Sequence, residues 1–421
     1  MTLLDNISRA LKHKNYRNYF FWQILSFTGT WIQTTAQSWL IYRLTGSPLF
    51  LGVVSFAASL PALVFSPLSG IVADNFKRKH VLLWTQILCL IQAILMIILF
   101  YSGAINKWHI LYLSILLGVA NSFDVTARQA LIPLFVSKID LLNAIALNSS
   151  MFNAARIIGP ALAGILIALY GEGICFLLNA ASYVPIIIFL FLVKEQKQEI
   201  RKLSSPYLHL KEGFMYAWSN LPIKSLLILV GMVSFWGMSF STLMPVFSDK
   251  VLNSGAKGLG ILMGCSGTGA VIGGLYLASR KDIIGIKKII GFCSVLFSVC
   301  LFVFAFSRLF IFSMLLLGII GFCFMIINAG SNTTMQSISP DYLRGRVIGL
   351  YSTMFMGMFP LGSLMVGCLA NMFGVTYAVA ICSCMCFISG LIFYCQVPKL
   401  EEESRIMFEM KKAEECKAQS V

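Results

Sequence analysis

Twelve apolar stretches, each more than 20 residues long, follow one another from Asn18 to Gln396 with charged or turn-rich breaks between them. They fall at approximately 18–43, 49–73, 80–101, 108–131, 144–170, 173–193, 223–248, 257–279, 286–306, 309–332, 346–371 and 376–396. A helix of that length crosses a ~30 Å hydrocarbon core. Inside such a core the backbone must satisfy its own hydrogen bonds, which helices do within one segment. Composition points the same way: 58% of the 421 residues are apolar and 12% are charged, too few polar groups to coat a soluble core. The sequence predicts an all-α polytopic membrane protein of twelve transmembrane helices, and excludes a soluble enzyme, a disulfide-stapled secreted module and a disordered chain. The first stretch follows Arg9, Lys12, Lys14 and Arg17 but is too long and too polar at its centre for a cleaved signal peptide, so it reads as a retained span.

The net charge is +15, and its distribution fixes an expected orientation. With both termini in the cytoplasm, 25 of the 32 Lys and Arg fall on that side, five on the other and two within spans. That bias satisfies the positive-inside rule. The basic excess is therefore a topology signal, and no nucleic-acid partner is expected. The expected location is the bacterial inner (cytoplasmic) membrane, multi-pass, with a lipid bilayer as the surrounding partner and a monomer as the working unit.

Lys194 to Pro222 is the longest hydrophilic interruption. It divides the chain into an N-terminal six-helix half (1–193), a cytoplasmic linker (194–222), a C-terminal six-helix half (223–398) and a charged tail (399–421). Within the linker Leu210, Phe214, Ala217, Trp218 and Leu221 recur at helical spacing, as in a helix lying on the inner membrane surface. The tail is of mixed charge and reads as a solvated helix or as disordered. The halves also repeat. At an offset of 207, Asn121, Thr126, Gln129 and Pro133 return as Asn328, Thr333, Gln336 and Pro340; near that offset Trp31 returns as Trp236, Gly70 as Gly274, Gly164 as Gly367 and Gly171 as Gly374. Two parallel six-helix repeats place a site at the midplane between halves.

Ionisable groups inside a membrane are costly and mark function by default. Asp124 and Arg128 lie four apart on one face of span 4 and can pair with each other, either as a gate pair or with Asp124 carrying a proton. Arg156 falls at the middle of span 5, where substrate contact, pairing with Asp124 and a structural role all stay open. A planar guanidinium suits carboxylate or catecholate groups. At similar depth lie Trp31, Gln33, Thr34 and Gln37 in span 1, Asn121 in span 4, Trp236 in span 7, Asn328 and Asn332 in span 10, and Met354 and Phe355 in span 11. These are candidate substrate-binding residues, with interhelical ties as the alternative for the amides and packing for Met and Phe. Glycines along spans 5 and 8 allow close backbone approach, and Pro160 in mid-span removes a backbone bond from span 5. The twelve cysteines and four histidines show no metal spacing and there is no P-loop string, so no metal, cofactor or catalytic residue is expected.

Several strings resemble the major facilitator superfamily. Gly70-Ile-Val-Ala-Asp74-Asn-Phe-Lys77-Arg78-Lys79 is similar to its Gly-x-x-x-Asp-Arg-x-Gly-Arg-Arg signature, with Asn75 and Lys77 departing from it. Gly159-Pro160-Ala-Leu-Ala-Gly164 is similar to the Gly-Pro element of its antiporters. Trp39-Leu-Ile-Tyr-Arg43-Leu-Thr-Gly46-Ser-Pro48, Asp124-Val-Thr-Ala-Arg128-Gln-Ala-Leu-Ile-Pro133 and Asn153-Ala-Ala-Arg156 narrow the resemblance to the branch holding enterobactin-type siderophore exporters and macrolide efflux pumps. It runs from about Tyr16 to Pro398. Ser114 stands where many proton-coupled members carry an arginine, and span 1 has no acid.

The resemblance implies a secondary transporter working by alternating access and exporting a small anionic or amphipathic solute by proton antiport; as the acid within the hydrophobic depth of the spans, Asp124 is the candidate coupling residue. It further implies gate elements at Gly70, Asp74, Arg78, Arg128, Gly159 and Pro160, with Asp74 meeting the start of span 11 near Arg344 and Arg346, where a helix N-terminus favours anions. Movement of a lipid-like substrate or uptake of a siderophore are the alternative transport readings, and a transport-inactive scaffold or receptor is the alternative of another class.

Overall fold

The computed structural model describes residues 9–137, 139–193, 214–280 and 285–419; the side chains at 66–67, 70–71, 73–74, 341–342 and 404–419 lie outside that description. Among the described residues twelve long helices follow in order: α1 Lys14–Thr45, α2 Pro48–Asn75, α3 Arg78–Tyr101, α4 Lys107–Leu131, α5 Leu141–Tyr170, α6 Glu172–Leu192, α7 Leu221–Val251, α8 Gly255–Ser279, α9 Ile286–Phe306, α10 Phe310–Ile338, α11 Asp341–Phe373 and α12 Val375–Gln419. Eleven are long and apolar enough to cross a bilayer. The exception, α1, is rich in Gln and Thr, and it satisfies its threonines internally. The hydroxyls of Thr28, Thr30, Thr34, Thr35 and Thr45 each donate to the carbonyl four residues back, at 2.7–3.0 Å, the local bond that lets threonine sit within a helix.

Helix boundaries follow from the turn chemistry. Gly46 ends α1 in a left-handed conformation that an L side chain rarely adopts, its N–H donating to the Tyr42 carbonyl. Ser47 then accepts from the Phe50 amide and Pro48 occupies the first turn of α2. Asn106 accepts from the amides of Trp108 and His109 to open α4. Gly171 and Gly374, partners in the sequence repeat, both have positive φ and end α5 and α11 respectively.

The chain forms two compact units: residues 1–202 with 244–264, and residues 203–243 with 265–421. Within the first, α1 packs on α5 and α6, α2 on α4, and α3 on α4 and α6. The second repeats the pattern six helices later, with α7 on α11 and α12, and α9 on α10 and α12. The α2–α4 contact has its counterpart in α8 on α10. An added Cβ on Gly118 would lie 2.2 Å from the Ala58 carbonyl oxygen, and one on Gly269 would lie 1.8 Å from that of Gly318. Small residues let these backbones touch.

One feature was not legible in the sequence. Helix α7 is not regular: π turns at Val233–Gly237 and Phe247–Val251 flank a 3-10 segment at Met238–Leu243. The tail is a continuation of α12, which runs on as one 45-residue helix. Of the linker, residues 194–213 lie outside the described part, and 214–219 form a short helix. In it Phe214 and Trp218 stack at 5.4 Å, with the Lys224 ammonium 4.4 Å from the Trp218 ring.

Candidate functional site

The first unit encloses a polar seam. Asp124, 2% exposed on α4, pairs with Arg128 one turn on, which is 7% exposed. Its other oxygen accepts from Gln86 Nε2 at 2.6 Å and from Thr85 Oγ1 at 3.1 Å, both on α3. The guanidinium lies 4.1 Å from the Phe27 ring of α1, a cation–π contact in a desolvated setting. A carboxylate in an apolar interior is tolerated only when its lone pairs are filled in this way.

One step along the seam, Gln33 is fully buried, donating to Gln92 on α3 at 2.8 Å and accepting from Asn179 on α6 at 2.8 Å. Gln37 donates to Ser114 on α4 at 2.6 Å. Both glutamines therefore act as ties among α1, α3, α4 and α6. Thr34, beside them on α1, is exposed, and Trp31 and Asn121 are half-buried. Arg156 is half-buried at the midpoint of α5. Trp31 meets Phe152 of α5 edge to face at 6.1 Å, and an added Cβ on Gly159 would lie 2.4 Å from the Trp31 Cβ. Pro160 follows Gly159 in the same buried turn.

At the end of the first unit away from the N-terminus, α1, α6 and α7 are joined by polar bonds. Tyr42 donates to Asp249 at 2.7 Å, and Arg43 pairs with the buried Glu172 at 3.1 Å. Lower on that side α5 and α8 cross at Gly164 and Gly260. At the basic end, Arg78 donates to the Ala130 carbonyl and Lys79 to the Val193 carbonyl. Both cations thus sit at helix C-termini, where the dipole favours them. Gly70 and Asp74 belong to the last turns of α2, and the Asp74 side chain lies outside the described residues. The segment before α1 docks on the start of α5: His13 Nε2 lies 2.9 Å and Arg9 Nε 3.8 Å from Asp140, Ala10 N–H donates to Asn143, and Tyr16 donates to the Ala144 carbonyl. The hydrogen bonds from His13 and Ser137, with the nearby Arg9 charge, hold the Asp140 carboxyl below its ordinary range.

In the second unit Trp236 lies in the first π turn of α7, edge to face with Phe235 at 4.8 Å. Phe355 stacks on Tyr351 at 6.1 Å, and Tyr351 donates to the Asn328 carbonyl. Asn332 accepts from Gln336. Met354 flanks Gly231, its Sδ 3.4 Å from where a Cβ would be. Arg344 and Arg346 are half-buried in the first turns of α11. Helix α11 also holds the irregular part of α7: Ser234 donates to the Phe355 carbonyl and Ser239 to the Phe359 carbonyl. Gly362 makes room, because its Cβ would fall 1.9 Å from the Phe235 oxygen.

Sequence reasoning missed the Asp140 dock, the Tyr42–Asp249 and Arg43–Glu172 bonds, and Thr85 with Gln86 as partners of Asp124. The last had a signal, since amides and hydroxyls within an apolar span seek partners on neighbouring helices.

Ties of this kind hold the helices of a unit to one another, and the repeated packing pattern is that of a multi-pass membrane transporter of the major facilitator fold. The chain belongs to the transmembrane secretion effector family of that superfamily, whose model matches residues 8–419. It is 28% identical to the staphyloferrin A transporter of Staphylococcus aureus, over 89% of this chain and 95% of that one. With the multidrug efflux pump Tap of Mycolicibacterium fortuitum it shares 25% identity over 82% and 87% of the two chains, and with macrolide efflux protein A of Streptococcus pyogenes 23% over 87% and 93%. Among solved structures, a bacterial homologue of the human lysosomal transporter Spinster superposes with a TM-score of 0.70 at 14% identity, covering 94% of this chain and 98% of that one. A peptide transporter of the POT type gives 0.73 at 12% identity, covering 93% and 95%. The protein is a transporter of a small-molecule substrate and not an enzyme.

Proposed function

We propose that the protein exports a small anionic or amphipathic solute, siderophore-like or drug-like, from the cytoplasm by alternating access in exchange for protons. It does so as a monomer in the cytoplasmic membrane, with both termini inside. The observation that carries this reading is the similarity, along most of its length, to a staphyloferrin A transporter and to efflux proteins of two further kinds. Arg156 supports an anionic preference through its planar donor fork at the middle of α5. Trp31, Thr34 and Asn121 are candidate substrate contacts in the same half, and Trp236, Asn332, Met354 and Phe355 are candidates in the other half. Asp124 supports coupling, because an acid that is neutral in one state and ion-paired in another supplies the differential free energy that a gradient needs. Asp74 is the candidate latch residue of the inner gate.

Proteoliposomes with an imposed pH gradient test the reading, with staphyloferrin A, erythromycin and ethidium as probes. The expected result is gradient-driven accumulation of at least the anionic probe, converted by Asp124→Asn into downhill exchange without accumulation. Accumulation that survives this substitution removes Asp124 from coupling. Accumulation unaffected by collapsing the pH gradient removes proton antiport altogether.

A further inference from the structure

Around the Asp124–Arg128 pair, three fully or nearly fully buried side chains keep polar atoms without a hydrogen-bond partner: both amide atoms of Gln23, the Tyr19 hydroxyl and Arg128 Nε. Gln23 and Tyr19 are 0% exposed. Unfilled buried amides are rare because the desolvation cost is not recovered, and one that persists calls for an explanation. Tyr19, Gln23 and Phe27 are spaced by four on α1, so they form one row along the helix. Both ends of the row reach Arg128. The Phe27 ring lies 4.1 Å from its guanidinium carbon, and the Tyr19 hydroxyl is within electrostatic range of it. Gln23 is bracketed between them.

The carboxylate of Asp124 is filled in its ionised form, with Thr85 and Gln86 on one oxygen and Arg128 on the other. A proton arriving on that second oxygen turns an acceptor into a donor and cancels the attraction to the guanidinium. Arg128 keeps its charge and then needs an acceptor elsewhere. In the row Tyr19–Gln23–Phe27 the unfilled acceptors are the Tyr19 hydroxyl and the Gln23 carbonyl oxygen, and an amide carbonyl is the stronger acceptor for a guanidinium.

We propose that Gln23 is a positioning residue for proton transfer: its amide receives the Arg128 guanidinium, directly or through one bound water, whenever Asp124 holds a proton. Arg128 thus alternates between Asp124 and Gln23. The proton enters from water on one side of the membrane, resides on the Asp124 oxygen and leaves to the other side, with no other bond made or broken. The further titratable groups that act electrostatically on Arg128 are Tyr19 from α1, Cys89 from α3 and Tyr183 from α6. This inference rests on Asp124 as the coupling group.

Infrared pH titration of the full chain in lipid nanodiscs tests it without a transport substrate. The carboxylic acid band that disappears in Asp124→Asn reports the protonation of Asp124. Gln23 favours the protonated state, so Gln23→Met is expected to lower the midpoint of that band by about one pH unit, a tenfold loss of proton affinity. Methionine replaces an unpartnered amide with an apolar chain of similar shape, so folding and melting temperature hold or improve; Gln23→Leu is the second variant in the same role. Gln92→Met is the control, a buried amide tied to Gln33 on another row, and it leaves the midpoint in place. An unchanged midpoint in both Gln23 variants overturns the role of Gln23 while leaving Asp124 as the proton carrier. A wild-type spectrum with no band sensitive to Asp124→Asn overturns both.

Discussion

Gly164 of α5 and Gly260 of α8 face each other backbone to backbone: a Cβ on Gly164 would lie 2.7 Å from the Gly260 Cα, and one on Gly260 2.8 Å from the Gly164 Cα. The Ala256 and Pro160 carbonyl oxygens close the same crossing from the two sides, each 2.8 Å from an added Cβ. No flexible side-chain end stands there to move aside, so the helices themselves must part. Gly164→Ala is expected to destabilise the protein by ~1–3 kcal/mol, the usual cost of overpacking. Gly164→Ala with Gly260→Ala should cost less than the sum, because the first substitution already opens the gap. Apparent melting temperatures of the two single variants and the double variant in detergent give the comparison, and full additivity would mean the two glycines do not share one contact.

Much of this crossing was legible. Glycines at 159, 164, 260 and 264 marked faces of close approach. The pairing of Gly171 with Gly374 in the repeat also held, since both end a helix through positive φ. Other features depended on information a single helix does not contain. Gln33 and Thr34 are adjacent, yet one is fully buried and the other exposed; which is which depends on how α1 is rotated in its bundle. Hydropathy across Leu221–Val251 is unbroken, so it gave no sign of the π turns in α7. Those accompany the fit of Phe235 and Ser239 against Gly362 on a helix more than a hundred residues away. The dock of His13 on Asp140 spans 127 residues, and neither residue stands in a motif.

That dock has a pH signature. Asp140 is held below the ordinary carboxylate range in the folded protein, first by its hydrogen bond with His13 and then by that with Ser137. A depressed carboxylate contributes its stabilisation fully above its unfolded value, ~3.9, and loses it as pH falls through the lower folded value. The segment before α1 should therefore stay docked at neutral pH and release only in strong acid. Asp140→Asn removes the charge at any pH, and is expected to raise amide hydrogen exchange across residues 9–17 at neutral pH to the level wild type reaches in acid. Equal protection in the variant at neutral pH would place the anchor in Asn143 and Ala144 instead.

Tyr42 and Asp249 join α1 to α7 through one hydrogen bond to a carboxylate, a contact worth about 1.5–3 kcal/mol where it is shielded from water. A tie of that size biases a two-state equilibrium by about tenfold or more. Tyr42→Phe keeps the ring and removes the donor. It should shift spin-label distances between the ends of α1 and α7 towards longer separations, and leave the distance between α1 and α6, where Arg43 and Glu172 remain paired, unchanged. Lengthening of both distances would indicate general loosening of the end of α1 and not a latch.

Arg156 is the test of substrate charge. It stands at the midpoint of α5, half-buried, three residues before the Gly159-Pro160 turn that packs on Trp31. A guanidinium recognises carboxylate or catecholate oxygens with two parallel donors, and an ammonium at the same place offers a point charge without that fork. Arg156→Lys should therefore weaken binding of an anionic ligand by about tenfold, ~1.4 kcal/mol, while neutral and cationic compounds bind as before. Arg156→Gln removes the charge as well and should weaken the anionic ligand further. Binding measured in detergent with staphyloferrin A, a neutral macrolide derivative and ethidium separates the outcomes. A parallel loss for all three would make Arg156 a structural partner within its own bundle, and the anionic preference would then have to come from another residue.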